Sequence, residues 1–317
     1  MLIENIILIF SLLFFLLIGV RFLIDNLLKI ASYLKVSNFF ISFLIAGVAT
    51  SLPELMLGIQ SSLFKTNQIS LGNILGANIN DLSFILAVSI LLAYLSGGGS
   101  LKIVHNLNFL NFVKIFLIAL YPFLLALDGY LSFIDAIFIL LVFIGYLYFS
   151  FKENLLTLNL EKETNFKEFF NSILYCFFSI LIIIFSSFLV IKESKELVEI
   201  YNLNKIPFGA LILSISSTIP ELLFTYQSIR KKIADFAIGN IFGSVAFNSN
   251  FILAINSILN PFKIEEKNIL VVNLIFLILI FLIDWHFLRS KEIKMGIPLF
   301  LLSYWLLFLI VNFLFLI

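Results

Sequence analysis

Residues 44–81 read LIAGVATSLPELMLGIQSSLFKTNQISLGNILGANIND, and residues 211–248 read LILSISSTIPELLFTYQSIRKKIADFAIGNIFGSVAFN. The two stretches align without a gap at an offset of 167, and 12 of 38 positions are identical. The identities are Leu44, Ile45, Pro53, Glu54, Leu55, Gln60, Ser61, Lys65, Gly72, Asn73, Ile74 and Gly76 with their partners in the second copy. Pro, Glu, Gln, Gly and Asn are not residues that two unrelated apolar segments share by chance. The chain is an internal duplication.

The material around the two copies is membrane material. Of 317 residues, 62% are hydrophobic and 12% are charged, against about 25% charged in a soluble domain. The mean hydropathy of +1.13 leaves no room for a sizeable soluble domain. Apolar runs fall at roughly 5–30, 38–64, 69–95, 107–127 and 131–151, and again at 169–191, 206–229, 236–260, 268–288 and 296–317. Each is long enough for a transmembrane helix of about 20 residues. A polar stretch at 152–168 separates the two sets of five. The expected organisation is a first five-helix half (1–151), a linker (152–168) and a second half (169–317). The N-terminal stretch lacks the positive region of a cleavable signal peptide, so its apolar run is expected to be a permanent helix. A net charge of +1 argues against a nucleic-acid partner. The single cysteine, Cys176, excludes disulfide frameworks and thiolate metal sites.

With the N-terminus placed outside, the inside loops carry 12 Lys and Arg and the outside loops 6. The positive-inside rule then puts both termini outside and the 152–168 linker in the cytoplasm. Each repeat copy occupies the second and third helices of a half, and five crossings per half turn the second half upside down. Inverted repeats of this kind build secondary transporters, whose site lies near the midplane where the halves meet.

The repeated residues say what such a site holds. Glu54 and Glu221 lie deep in apolar helices, where an ionisable group costs about 2.5–3.5 kcal/mol and needs a purpose. Pro53 and Pro220 precede them and leave the carbonyls of Ala49 and Ser216 without an N–H partner. Thr50-Ser51 and Ser217-Thr218 add hydroxyls beside those carbonyls. Gly72, Gly76, Gly239 and Gly243 are small faces for close helix approach, and Asn73 and Asn240 are placed to hydrogen-bond across to the broken helices. Asp81 follows Glu54 by 27 residues, and Asn248 follows Glu221 by the same interval. Three acids around one cavity, with oxygen donors only, suit a hard cation such as calcium. One divalent ion plus a proton, or three monovalent ions, neutralise them, and competition between those loads is the physical basis of exchange.

These residues resemble the α-repeats of the cation/calcium exchanger superfamily, most closely its prokaryotic sodium/calcium exchanger branch. The resemblance rests on GVATSLPE (47–54) with GNILGANIND (72–81), and on SISSTIPE (214–221) with GNIFGSVAFN (239–248). It implies an all-α polytopic fold of ten transmembrane helices in two inverted five-helix repeats, with helices 2, 3, 7 and 8 as the ion-binding core. Helices 1 and 6 are expected to slide against that core. The implied function is antiport of calcium for sodium across the cell membrane by alternating access, in a functional monomer with no cofactor. Glu54 and Glu221 would bridge the calcium and sodium sites. Oxygens of Thr50, Ser51, Ser217 and Thr218 would complete them, and Ser244, Asp81 and Asn248 would line the centre. Gly47, Ala49 and Ser214, in the same signature stretches, complete the candidate set. Three sodium for one calcium moves one net charge, to which the potential contributes about 2.3 kcal/mol per 100 mV.

The chain departs from the family pattern at four places. Ala77 stands where the family has a Ser, Ser214 replaces a small apolar residue, and Ser217-Thr218 inverts the usual Thr-Ser order. An archaeal member of the family carries the acid and amide of Asp81 and Asn248 in the opposite order, with the same total charge. A calcium/proton antiporter and a transporter of another divalent ion are therefore kept as alternatives. An intramembrane enzyme is disfavoured by the lack of a catalytic constellation, and a channel by the inverted duplication. Elsewhere, Arg21 and Asp25 are expected to pair at i,i+4, and Asp128 and Asp135 to cap the fifth helix. His105 and His286 are expected at interfaces, and Cys176 to fill apolar space.

Overall fold

The computed structural model describes residues 2–33, 48, 50–95, 101–102, 109–153, 166–230, 234–288, 292–293 and 296–316. Helical segments stand at each of the ten expected runs. The first is α1 (Leu2–Tyr33) and the second contains α2 (Leu52–Leu63). The third is α3 (Asn67–Asn80), a π-helical turn (Asp81–Ile85) and α4 (Leu86–Ala93). The fourth, fifth and sixth are α5 (Phe109–Leu125), α6 (Phe133–Glu153) and α7 (Phe166–Tyr201). The seventh runs through α8 (Lys205–Phe208), a π turn (Gly209–Leu213) and α9 (Ser214–Ser217), then bends by 45° into α10 (Ile219–Arg230). The eighth is α11 (Ala234–Phe247), a π turn (Asn248–Ile252) and α12 (Leu253–Leu259), and α13 (Lys267–Leu288) and α14 (Gly296–Leu314) complete the set. The third, sixth, eighth, ninth and tenth segments are each long and apolar enough to cross a bilayer, and the bent seventh does so as a pair of half-helices.

The duplication is written into the element boundaries. Adding 167 to the limits of α2, α3 and the Asp81–Ile85 turn gives the limits of α10, α11 and the Asn248–Ile252 turn, residue for residue. A π turn shifts one backbone bond from i−4 to i−5 and leaves a carbonyl over. Both copies occupy it with the same later position. The Ser83 hydroxyl donates to the Ile79 carbonyl, and the Asn250 amide donates to the Ala246 carbonyl at 2.8 Å.

Four two-residue strands staple the loops. β1 (Leu101–Lys102) pairs with β4 (Glu292–Ile293), and β2 (Tyr130–Leu131) with β3 (Phe262–Lys263), both antiparallel. An even number of crossings separates the partners within each pair, so each pair lies on one face of the bilayer. β1 and β3 follow equivalent helices of the two halves, and five crossings place them on opposite faces. That is the inversion.

Two cores coexist. Ile9, Leu13, Leu16, Val20 and Leu23 of α1 recur at a 3.5-residue period and pack with Cys176, Ile183 and Val190 of α7. The larger core joins α3, α5, α6, α11, α13 and α14. Cys176 is a buried apolar filler of the first, smaller core, as its surroundings demand. The helix α7 continues past the apolar run to Tyr201, because Lys192–Glu196 and Lys195–Glu199 pair at i,i+4 along a polar extension.

One end of the bundle is tied by polar groups. The Glu266 carboxylate accepts the backbone N–H groups of Lys205 (2.7 Å) and Ile206 (2.8 Å), capping the start of α8. Gln68 accepts from the Glu265 N–H at 3.0 Å, and Lys205 bridges to Glu265 at 3.3 Å. The Lys205 ammonium holds Glu265 below the ordinary glutamate range, whereas burial pushes Glu266 above it.

Two smaller expectations need correction. Arg21 and Asp25 are both exposed, and no ion pair joins them. The cap of α6 is Ser132. Its hydroxyl accepts from the Asp135 N–H (3.1 Å) while Asp135 accepts from the Ser132 N–H (2.9 Å), a reciprocal capping box. Asp128 instead accepts from the Tyr130 N–H in the preceding turn, at 2.8 Å. His286 is exposed near the end of α13, and His105 lies outside the described residues.

Candidate functional site

The two helix breaks are built alike. Ser51 precedes α2, with Pro53 and Glu54 in its first turn, and Thr218 precedes α10, with Pro220 and Glu221 in its first turn. Leu55 N–H reaches the Ser51 carbonyl and Leu222 N–H the Thr218 carbonyl, each at 3.1 Å, so in both helices an i−4 bond forms two residues after the proline. The N-terminal end of a helix carries positive partial charge and favours an anion. Each glutamate is thereby seated at a helix start, and Glu221 lies beside the end of the half-helix before it.

Hydrogen bonds then cross between repeats in matched pairs. Thr50 donates to Asn240 Oδ1 at 3.4 Å, and its repeat-mate Ser217 donates to Asn73 Oδ1 at 3.3 Å. The asparagines of the third and eighth segments thus hold the broken helices of the opposite half, as their recurrence in the repeat anticipated. The glycine beside Asn73 makes this approach possible. A Cβ at Gly72 would lie 2.0 Å from the Ile206 carbonyl oxygen, and one at Gly209 would lie 2.0 Å from that of Ile69. A Cβ at Gly76 would meet the Ala210 carbonyl oxygen at 2.7 Å. Gly239 and Gly243 do not follow suit: no atom of the described residues lies within 4 Å of a Cβ built there. The repeat-mates of Ile206 and Ala210, residues 39 and 43, are outside the described residues.

At the centre lie three fully buried acids, Glu54, Asp81 and Glu221. Asp81 feels the charge of Glu54, and Glu221 feels both, so they share one electrostatic neighbourhood. Ser51 donates to Glu221 Oε1 at 3.2 Å. Both carboxylate oxygens of Glu54 and of Asp81, Glu221 Oε2, Ser244 Oγ and Asn248 Oδ1 have no hydrogen-bond partner. No Lys or Arg among the described residues forms an ion pair with any of the three acids. Buried acceptors without donors or countercharge are satisfied by cations or protons. The acids are not contracted into a finished cage: among the described residues no group of three His, Cys, Asp or Glu closes on a common point.

Other candidate residues divide. Thr218 spends its hydroxyl on the Ser214 carbonyl at 2.8 Å rather than on Glu54, whose situation differs from that of Glu221 for that reason. Ser214 Oγ accepts from Asn80 at 3.1 Å and donates to the Ala210 carbonyl at 2.5 Å. Ala77 is fully buried in α3, opposite in the repeat to the unpartnered Ser244. Gly47 and Ala49 lie outside the described residues. Three further residues escaped the sequence reading. Asn78 donates to Ser249 at 2.8 Å, Thr225 accepts from Asn240 at 3.3 Å, and Trp305 donates to Asn80 Oδ1 at 2.8 Å. The two asparagines just ahead of Asp81 were a visible signal, since apolar helices do not spend amides idly. Nothing in the sequence pointed to Trp305.

Comparison with known proteins agrees with this architecture. The chain is 22% identical over 269 residues to an uncharacterised membrane protein of Methanocaldococcus jannaschii, covering 84% of each. It is 22% identical to the sodium/calcium exchanger MaX1 of Methanosarcina acetivorans, covering 94% of this chain and 95% of that one. A structure of the sodium-calcium exchanger NCX_Mj superposes with a TM-score of 0.64 at 21% identity, over 97% of this chain and 98% of the other. The shared fold is therefore the ten-helix inverted repeat. The sodium/calcium exchanger protein family matches residues 4–152 and 171–314, which leaves out only the polar linker and the extreme ends. With two mirrored broken helices and an oxygen-only interior set on that fold, the chain is a transporter rather than an enzyme, and it belongs to the sodium/calcium exchanger protein family.

Proposed function

We propose that this protein exchanges calcium for sodium by alternating access, using Glu54, Asp81 and Glu221 as the charged ligands. The observation that carries the reading is the set of buried acid oxygens left without partners between two inverted helix breaks. Thr50, Ser51, Ser217, Ser244 and Asn248 supply neutral oxygens around them. Thr218 and Ser214 belong to the second break, and Gly47 and Ala49, outside the described residues, belong to the matching signature stretch of the first repeat. Three carboxylates bind one calcium with a proton, or three sodium ions, and each load leaves the interior close to neutral. A transporter that crosses only when neutralised exchanges one load for the other. In this reading the halves 1–151 and 169–317 form one functional monomer in the cell membrane, both termini face outside, and the 152–168 linker faces the cytoplasm. The α1/α7 pair, joined by Ile9, Leu13, Leu16 and Val20 against Cys176, Ile183 and Val190, moves against the core helices on which it also packs through Leu57, Ile69 and Phe208.

Calcium/proton exchange is the second reading, favoured by Ala77, which removes a hydroxyl from the sodium-binding set. Reconstitution into liposomes with calcium-45 separates them. Dissipating an imposed sodium gradient stops uptake in the first case, and dissipating a pH gradient stops it in the second.

A further inference from the structure

The exchange site does not use every buried acid. Asp284 lies on α13, 1% exposed, on the stripe formed by Leu270, Leu274, Leu277 and Phe281. Both of its carboxylate oxygens lack a hydrogen-bond partner. The groups facing it are few. From α14, Tyr304 lies near enough to feel its charge, but the Tyr304 hydroxyl donates to the Phe276 carbonyl at 2.5 Å. The other elements packed on α13 carry Asp81 (its own turn), Lys114 and Tyr121 (α5), Lys205 (α8) and Asp128, and α13 itself carries Lys267 and His286. None of these forms an ion pair or hydrogen bond with Asp284. No hydrogen bond joins Asp284 to Asp81, which lies beside Glu54 in the exchange site.

Position links Asp284 to the exchange site nonetheless. The helices α3 and α13 start together, joined by the Gln68–Glu265 bond. At about 1.5 Å per residue, Asp284 lies about one helical turn further along than Asp81. Beside Tyr304, Trp305 stacks on Phe84 with ring centroids 4.4 Å apart and donates to Asn80. Both α13 and α14 thus pack on the turn that carries Asp81.

We propose that Asp284 is a proton-binding site, distinct from the exchange site, whose occupancy keeps α13 and α14 packed against the Asp81–Ile85 turn. The ligand is a proton and not a metal ion. A single carboxylate among leucines and phenylalanines cannot replace the 6–8 oxygens around calcium, whereas one proton removes the charge outright. Losing that proton leaves a carboxylate in an apolar interior, and α13 and α14 must loosen to admit water.

Thermal unfolding of the purified full-length protein in detergent, in calcium-free and sodium-free buffer across a pH series, tests this. The unfolded chain releases the Asp284 proton to water above the ordinary carboxylate range, while the folded chain keeps it. The wild-type midpoint is therefore expected to fall with rising pH more steeply than that of Asp284→Leu, the two curves meeting at acid pH. Contributions from Glu54, Asp81 and Glu221 are common to both proteins. Parallel curves would overturn the proposal. Should Asp284→Leu fail to fold, infrared spectra decide: a protonated-carboxyl band at neutral pH that disappears in Asp284→Asn supports it, and an unchanged spectrum overturns it. The readout involves no transport, so its failure leaves the exchange reading standing.

Discussion

Glu54 and Glu221 hold equivalent places in the repeat but not equivalent chemical situations. Ser51 donates to Glu221, whereas Thr218, its mate, turns its hydroxyl back to the Ser214 carbonyl. A hydrogen bond to a charged group is worth about 1.5–3 kcal/mol. Ser51→Ala is therefore expected to raise the KM for calcium uptake by about tenfold or more, and Thr218→Val, which removes a hydroxyl already committed within its own helix, to change it little. Equal effects from the two substitutions would show that the asymmetry has no functional weight. The charge count gives a second test. Asp81→Asn is expected to abolish exchange, and adding Asn248→Asp to restore part of it, because the pair then carries its acid on the opposite repeat with the total unchanged. The acids and their prolines were legible in the sequence because both recur at one offset. The direction of the Thr218 hydroxyl was not, since residue type names a donor without naming its acceptor. Asp284 was overlooked because it has no repeat partner, and recurrence was the filter applied.

Element by element, what the sequence showed was apolar length and repetition, and these placed ten segments whose described ends lie within a few residues of expectation, except at the end of α7. It did not show the π turns, because a single i−5 bond leaves no composition signal; only the polar residues at Ser83 and Asn250 hint at the carbonyls they satisfy. The polar extension of α7 was hidden because hydropathy marks the membrane and not the end of the helix. Asp135 was expected to cap α6 and does so, whereas its partner in the Ser132-Phe-Ile-Asp135 capping box was readable but overlooked in favour of Asp128. Substituting Ser132 by Ala should cost about 1 kcal/mol. Small residues divide more sharply. Gly72→Ala forces a methyl to within 2.0 Å of the Ile206 carbonyl oxygen, whereas Gly239→Ala meets nothing within 4 Å among the described residues. Overpacking costs about 1–3 kcal/mol, so Gly72→Ala is expected to lower the unfolding midpoint in detergent by several degrees and Gly239→Ala to leave it unchanged. Equal shifts would mean that the third and seventh segments do not pack as described.

At the scale of the whole molecule, inversion is the property from which transport follows, because it gives the interior two equivalent exits. The loop pairings make it testable. In a Cys176→Ser background, Lys102→Cys (β1) and Lys263→Cys (β3) are expected to react with a membrane-impermeant thiol reagent from opposite sides of sealed vesicles. Labelling from one side would break the parity of five crossings per half. The central claim concerns the use of that symmetry, and calcium-45 uptake into liposomes loaded with sodium tests it most directly, with wild-type, Glu54→Gln and Glu221→Gln proteins measured side by side. The account predicts uptake by the wild type that vanishes when the sodium gradient is removed, and uptake at least about tenfold lower in each variant, as the loss of a charged ligand implies. Wild-type rates in either glutamine variant would contradict it.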